Sequence, residues 1–235
     1  MAAVIPLGDR VRRRHAPWVT VALIAAEIAA FVALVRLPSA AQAAAVEEWA
    51  LVPSALTPLF AGDVTAASQV VRLWSSLFLH SGLLHLLGNL LFLWVFGRTV
   101  EGAMGSARFF AFFALSGAIA GLVHTIMSAA STVPTVGASG AISGVMGAYL
   151  GLHPKAKVRS LVVLVVLPLV FDVPAALWLL AWLALQLLEG ARAMAAGPGG
   201  GAVGVAWWAH VGGFGAGLLL HRFFLGGGRR ASRSS

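Results

Sequence analysis

Gly137-Ala138-Ser139-Gly140 opens a short apolar helix that continues Ala141-Ile142-Ser143-Gly144-Val145-Met146-Gly147. The level at which that helix starts decides the fold. About seventy residues further on, a lone histidine opens the last apolar segment in Ala209-His210-Val211-Gly212-Gly213. A potential nucleophile and a potential base, each at a polar point in a greasy helix, point to hydrolysis inside a bilayer.

Composition agrees. Of 235 residues, 60% are hydrophobic and only 10% charged, against about 25% charged in soluble domains. The chain reads as one membrane bundle. It has no cysteine, which excludes disulfides, thiolate chemistry and zinc–thiolate sites. The formal charge of +8 sits in short basic clusters between apolar segments. That is the pattern of membrane orientation, and no nucleic-acid partner is expected.

Apolar segments fall at 17–37, 82–100, 107–130, 138–152, 173–191 and 205–225. A further apolar stretch, 158–171, is 14 residues long. At about 1.5 Å per residue it covers roughly 21 Å as a helix, short of a ~30 Å core. Pro168 and Pro174 argue against fusing it to 173–191, so it reads as an interfacial or partly inserted connection. Six spans place Arg10, Arg12, Arg13, Arg14, Arg98, Arg108, Lys155, Lys157, Arg159, Arg222, Arg229, Arg230 and Arg233 on one side. Only Arg36, Arg72 and Arg192 fall on the other, so both termini are expected in the cytoplasm of a multi-pass protein of the cell (inner) membrane.

The domain plan is a basic N-terminus over 1–16, a single membrane domain over 17–225 and a basic tail over 226–235. The N-terminus also has signal-peptide features, with small residues Ser39-Ala40-Ala41-Gln42-Ala43 after the apolar run. That run is about 20 residues and holds Glu27, longer than the 7–15 of a removed segment, so it is read as retained. No repeat is evident, and Gly197 to Gly201 with Pro198 reads as a flexible outer loop.

Counting from the inner end of each helix, His210 lies 12 residues from Arg222 and Ser139 lies 14 from His153. His85 and Asn89 lie 13 and nine residues from Arg98. These become roughly 18, 21, 20 and 14 Å above the inner boundary. All four groups then share one level below the outer surface. Ser131 to Gly137 must descend to it as irregular backbone, which survives there only if covered by protein or lining a watery cavity.

Ser139 falls in a first helical turn, where unpaired N–H groups and the positive dipole end favour an oxyanion. Its alternative role is a small packing residue, beside Gly140, Gly144, Gly147 and Gly151. Neutral His210 can take the serine proton and return it to a leaving amine; the alternative is an interfacial histidine without chemistry. Gly213 and Gly217 continue its helix as a small-residue stripe. His85 and Asn89, four apart, share a helix face and suit oxyanion stabilisation, or else glue two helices. His80 and His124 read as structural, and Arg72 and Glu101 as architectural, Glu101 capping the inner end of its own helix. Asp172 and Glu189 lie near the ends of their span, so no carboxylate is placed to orient His210, and a serine–histidine dyad is expected. No metal site or cofactor is expected, since the histidines sit on separate helices without an acidic ligand at their level.

Together these residues resemble the rhomboid family of intramembrane serine proteases. The run His80-Ser81-Gly82-Leu83-Leu84-His85-Leu86-Leu87-Gly88-Asn89 is followed by Gly97, Glu101 and Gly105, then by Gly137-Ala138-Ser139-Gly140 and by Ala209-His210 with Gly213 and Gly217. The resemblance covers about residues 70–222. It implies an all-α, six-transmembrane-helix bundle with Ser139 as nucleophile and His210 as general base and acid. The oxyanion would be held by His85, Asn89 and the Ser139 amide, with Gly137 in the same loop. It also implies single-span or other transmembrane protein substrates within the lipid bilayer, cut in or near their transmembrane segments. Two positions depart from the family pattern. Ser143 stands where many members carry an aromatic stacked on the catalytic histidine, and Val71-Arg72 replaces a Trp-Arg pair. Competing functions are a non-proteolytic adaptor that binds transmembrane helices, and a small transporter using His85, Asn89 and His210 as a polar path.

Overall fold

The computed structural model describes residues 4–12, 15–164, 167–196 and 205–226. Arg13, Arg14, Arg229, Arg230, Arg233 and the Gly197 to Gly201 loop lie outside the described residues. The chain is mostly helical. Apolar backbone in lipid must satisfy its own N–H and C=O groups, and the helix does so within one segment. Among the described residues, four helices are long and apolar enough to cross a membrane: α1 (Trp18–Val35), α3 (Leu83–Met104), α4 (Ser106–Met127) and α6 (Ala175–Ala195). Helix α2 (Ser39–Trp49) follows α1, and short helical turns fill the path to α3. Two shorter helices, α5 (Ser139–Leu152) and α7 (Trp207–Leu220), match the stretches where the suspected chemistry sits.

Breaks between helices have local causes. Gly105, at φ 82°, turns the chain between α3 and α4, and Pro174 stands immediately before α6. Glu101 caps across the bundle, and its own helix end is not its target. Its carboxylate accepts from the Val19 and Thr20 amides at 2.9 and 2.8 Å, and from the Thr20 and Ser106 hydroxyls at 2.7 and 2.6 Å. One buried acid thereby fixes the starts of α1 and α4 against α3.

Helices α5 and α7 form the tightest pair, and glycine is the reason. A Cβ on Gly213 or Gly217 would run into the carbonyl oxygens of Gly140 and Gly144, and one on Gly147 into that of Phe214. The two backbones therefore touch without intervening side chains. Around them Phe96, Phe109, Phe112, Tyr149 and Phe214 make a fully buried aromatic core.

Segment 158–171 is not helical. Strands β2 (Lys157–Leu164) and β3 (Leu167–Pro174) pair antiparallel, and β1 (Val4–Asp9) pairs antiparallel with β2. Val158, Val162 and Val170 favour pleated backbone, and Pro6 and Pro168 are tolerated because both lie on edge strands of the order β1-β2-β3. Arg10 pairs with Asp172 at 2.6 Å, and Thr99 donates to Asp9 at 2.6 Å, tying the sheet to α3. The sheet lies at the end of the bundle where α5 finishes and α6 begins, remote from Ser139.

Candidate active site

Ser139 heads α5 and His210 lies in the first turn of α7. Because α5 and α7 meet glycine on glycine, the two side chains come together: Ser139 Oγ is 2.8 Å from His210 Nε2. Both residues are half-buried and line a cavity of about 530 Å³ with Ser76, His85, Gly137 and Thr135. A hydroxyl within hydrogen-bond reach of an imidazole nitrogen, on a cavity wall, is a geometry that can generate a nucleophile.

The loop before α5 is pinned rather than free. Leu51 and Thr135 exchange backbone hydrogen bonds of 3.1 and 2.7 Å, and the Gly137 amide donates to Ser76 at 2.9 Å. His124, read as structural, bonds Thr135 Oγ1 through Nε2 at 3.0 Å and so helps hold this loop. Gly137 has φ 110°, and a Cβ there would stand 2.7 Å from His85 Nε2 and 3.6 Å from Asn89 Nδ2. Only glycine fits both the backbone and the space. His85 Nε2 and Asn89 Nδ2 thus converge beside the serine loop, although Asn89 also donates to the His85 carbonyl at 2.9 Å. Ser81 Oγ sits 3.0 Å from His85 Nδ1; a hydroxyl donating there leaves the imidazole proton on Nε2, facing the cavity.

His210 has neighbours that the sequence reading missed. Its Nδ1 is 2.7 Å from Oε1 of Gln186 on α6. The Trp182 ring lies 5.8 Å away at 40°, and the Trp207 ring 6.2 Å away nearly edge-on. Ser143, where the resemblance implies an aromatic stacked on the histidine, donates back to the Ser139 carbonyl at 2.6 Å. The signal available in the sequence was Gln186 itself, one amide in an otherwise apolar stretch of helix.

His80, just before α3, is buried, and that burial pushes its pKa down to about 4, with His85 adding to the effect. Its Nε2 lies 3.9 Å from Glu27 Oε2 of α1, and its ring meets that of His85 at 5.3 Å. Burial therefore favours the neutral form of His80.

Residues 67–227 match the family model of the Rhomboid domain. The chain is 33% identical over 112 residues to Rhomboid protein 1, mitochondrial, of Saccharomyces cerevisiae, covering 46% of this chain and 30% of the yeast protein. It is 39% identical over 88 residues to Rhomboid protease GluP of Bacillus subtilis, 37% of this chain and 17% of that protein. RHOMBOID-like protein 5 of Arabidopsis thaliana is 38% identical over 79 residues, 34% of this chain and 26% of its own length. Each match spans less than a third of the relative's length. The domain match itself takes in well over half of the present sequence, and on that ground the chain belongs to the rhomboid family.

Proposed function

We propose that this protein is an intramembrane serine endopeptidase that hydrolyses peptide bonds in or near transmembrane segments of other membrane proteins. The observation that carries the reading is the 2.8 Å approach of Ser139 Oγ to His210 Nε2 on a cavity wall. Support also comes from the family, which includes serine intramembrane proteases. Ser139 Oγ attacks the scissile carbonyl as its proton passes to His210 Nε2. The oxyanion is met by His85, Asn89 and the Ser139 amide at the start of α5, with Gly137 leaving room for them. His210 then protonates the leaving amine, and water repeats the sequence on the acyl-enzyme. Helices α5 and α7 complete a proposed set of six spans, with both termini on the cytoplasmic side of the cell membrane.

The test is labelling of detergent-solubilised protein by a serine-reactive fluorophosphonate, followed by cleavage of a single-span substrate in liposomes. Absence of both in the wild type sinks the reading and leaves the adaptor role. If His85 and Asn89 hold the oxyanion, His85→Ala and Asn89→Ala each lower kcat on the order of 10²- to 10³-fold. Wild-type turnover in both removes them from that role. Protonated His210 has no lone pair for the serine proton, so activity is lost on acidification along a limb set by one proton. A folded protein whose rate shows no acid limb at all contradicts the assignment.

A further inference from the structure

We propose that Gln186 is a positioning residue for His210, fixing the tautomer and tilt that the base requires. This deepens the hydrolytic reading above and rests on it for the chemistry. A primary amide buried in an apolar helix is costly unless its groups are paired, and Gln186 is only 7% exposed. Its two ends face different partners. Nε2 reaches the Trp182 carbonyl, one turn earlier, at 3.4 Å, and Oε1 reaches His210 Nδ1 at 2.7 Å. Turning the amide over would set its oxygen against the Trp182 carbonyl, acceptor to acceptor. The local pattern therefore selects the oxygen toward His210.

An oxygen at that place requires the proton on Nδ1. Nε2 is then left with its lone pair, and Nε2 is the nitrogen 2.8 Å from Ser139. When Oγ bonds the scissile carbon, its proton moves to Nε2 while Nδ1–H stays in place, donating to Gln186. The Nε2 proton later goes to the leaving amine and the ring returns to the same tautomer. Trp182 and Gln186, four residues apart, share one face of α6, so a single helix face both packs against the imidazole and accepts its proton-bearing nitrogen. Helix α6 thus supplies the support that Ser143 on α5 does not.

The experiment compares wild type, Gln186→Leu and Gln186→Glu in proteoliposomes, with ¹⁵N-histidine spectra of each protein. Gln186→Leu is expected to lower kcat on the order of 10- to 100-fold with KM unchanged, and to weaken the Nδ1–H signature of His210. Gln186→Glu keeps the acceptor and adds charge that favours the imidazolium. Its acid limb therefore moves to higher pH while most of kcat survives. Wild-type kcat with an unaltered tautomer signal in Gln186→Leu overturns the proposal. If Gln186→Leu does not fold, Gln186→Glu decides, and an unshifted acid limb overturns it. Should the wild type neither cleave nor label, the hydrolytic reading fails alone. The ¹⁵N signal then still decides whether Gln186 holds His210.

Discussion

Ser139→Ala is expected to abolish cleavage of a co-expressed single-span substrate, with kcat falling on the order of 10⁵-fold or more. The alanine variant keeps His210, His85 and Asn89 but has no atom to form the acyl-enzyme, so only the binding and oxyanion contributions remain. Fluorophosphonate labelling should vanish in parallel. The side chain is small, half-buried and at a helix start, so the unfolding midpoint in detergent should stay close to the wild type. A folded Ser139→Ala protein that still cuts the substrate at the same bond would remove Ser139 as nucleophile.

Gly217→Val should be the most destabilising single change in the bundle. The new Cβ meets the carbonyl of Gly144, which is backbone and has no rotamer to change. Relief requires α5 and α7 to part, and overpacking of this kind costs about 3 kcal/mol or more when backbone must move. Parting these helices also draws Ser139 from His210, so activity falls with stability. Gly215→Ala, on the same helix, is the control. A Cβ there meets nothing within 4 Å, and alanine is the better helix former by up to about 1 kcal/mol. The pair is read by unfolding midpoints in detergent alongside cleavage rates. Equal midpoints for Gly217→Val and the wild type would mean that the glycine seam does not set the helix spacing.

Much of this architecture was readable from residue order. Runs of about twenty apolar residues bounded by arginine, proline or glycine locate helices, because lipid leaves few other options for backbone. Rise per residue alone sets Ser139, His210, His85 and Asn89 at one expected level. The sheet is not legible in 158–171, because pairing with Val4–Asp9 is a long-range event that local pattern does not announce. Gln186 is hard to single out in sequence because a neutral amide carries none of the charge that marks a carboxylate partner for His210. Counted from Ala175 at the start of α6, it stands 11 residues along, about 17 Å, matching the rise counted for His210. The rule that placed the other four would have found it.

The three-stranded sheet has a bearing on how the protein floats. Strands β1 and β3 are its borders, and border N–H and C=O groups left bare in hydrocarbon are prohibitively costly. The sheet must therefore ride where water reaches, and it acts as a draught mark limiting how far that end can sink. From Leu152, beside it, up to Ser139 is 13 residues, about 20 Å, whatever the lipid. In a ~30 Å core the serine thus sits about 10 Å beneath the opposite surface. Thinner bilayers lower that surface toward the serine instead of moving the serine, shortening the descent a substrate strand has to make.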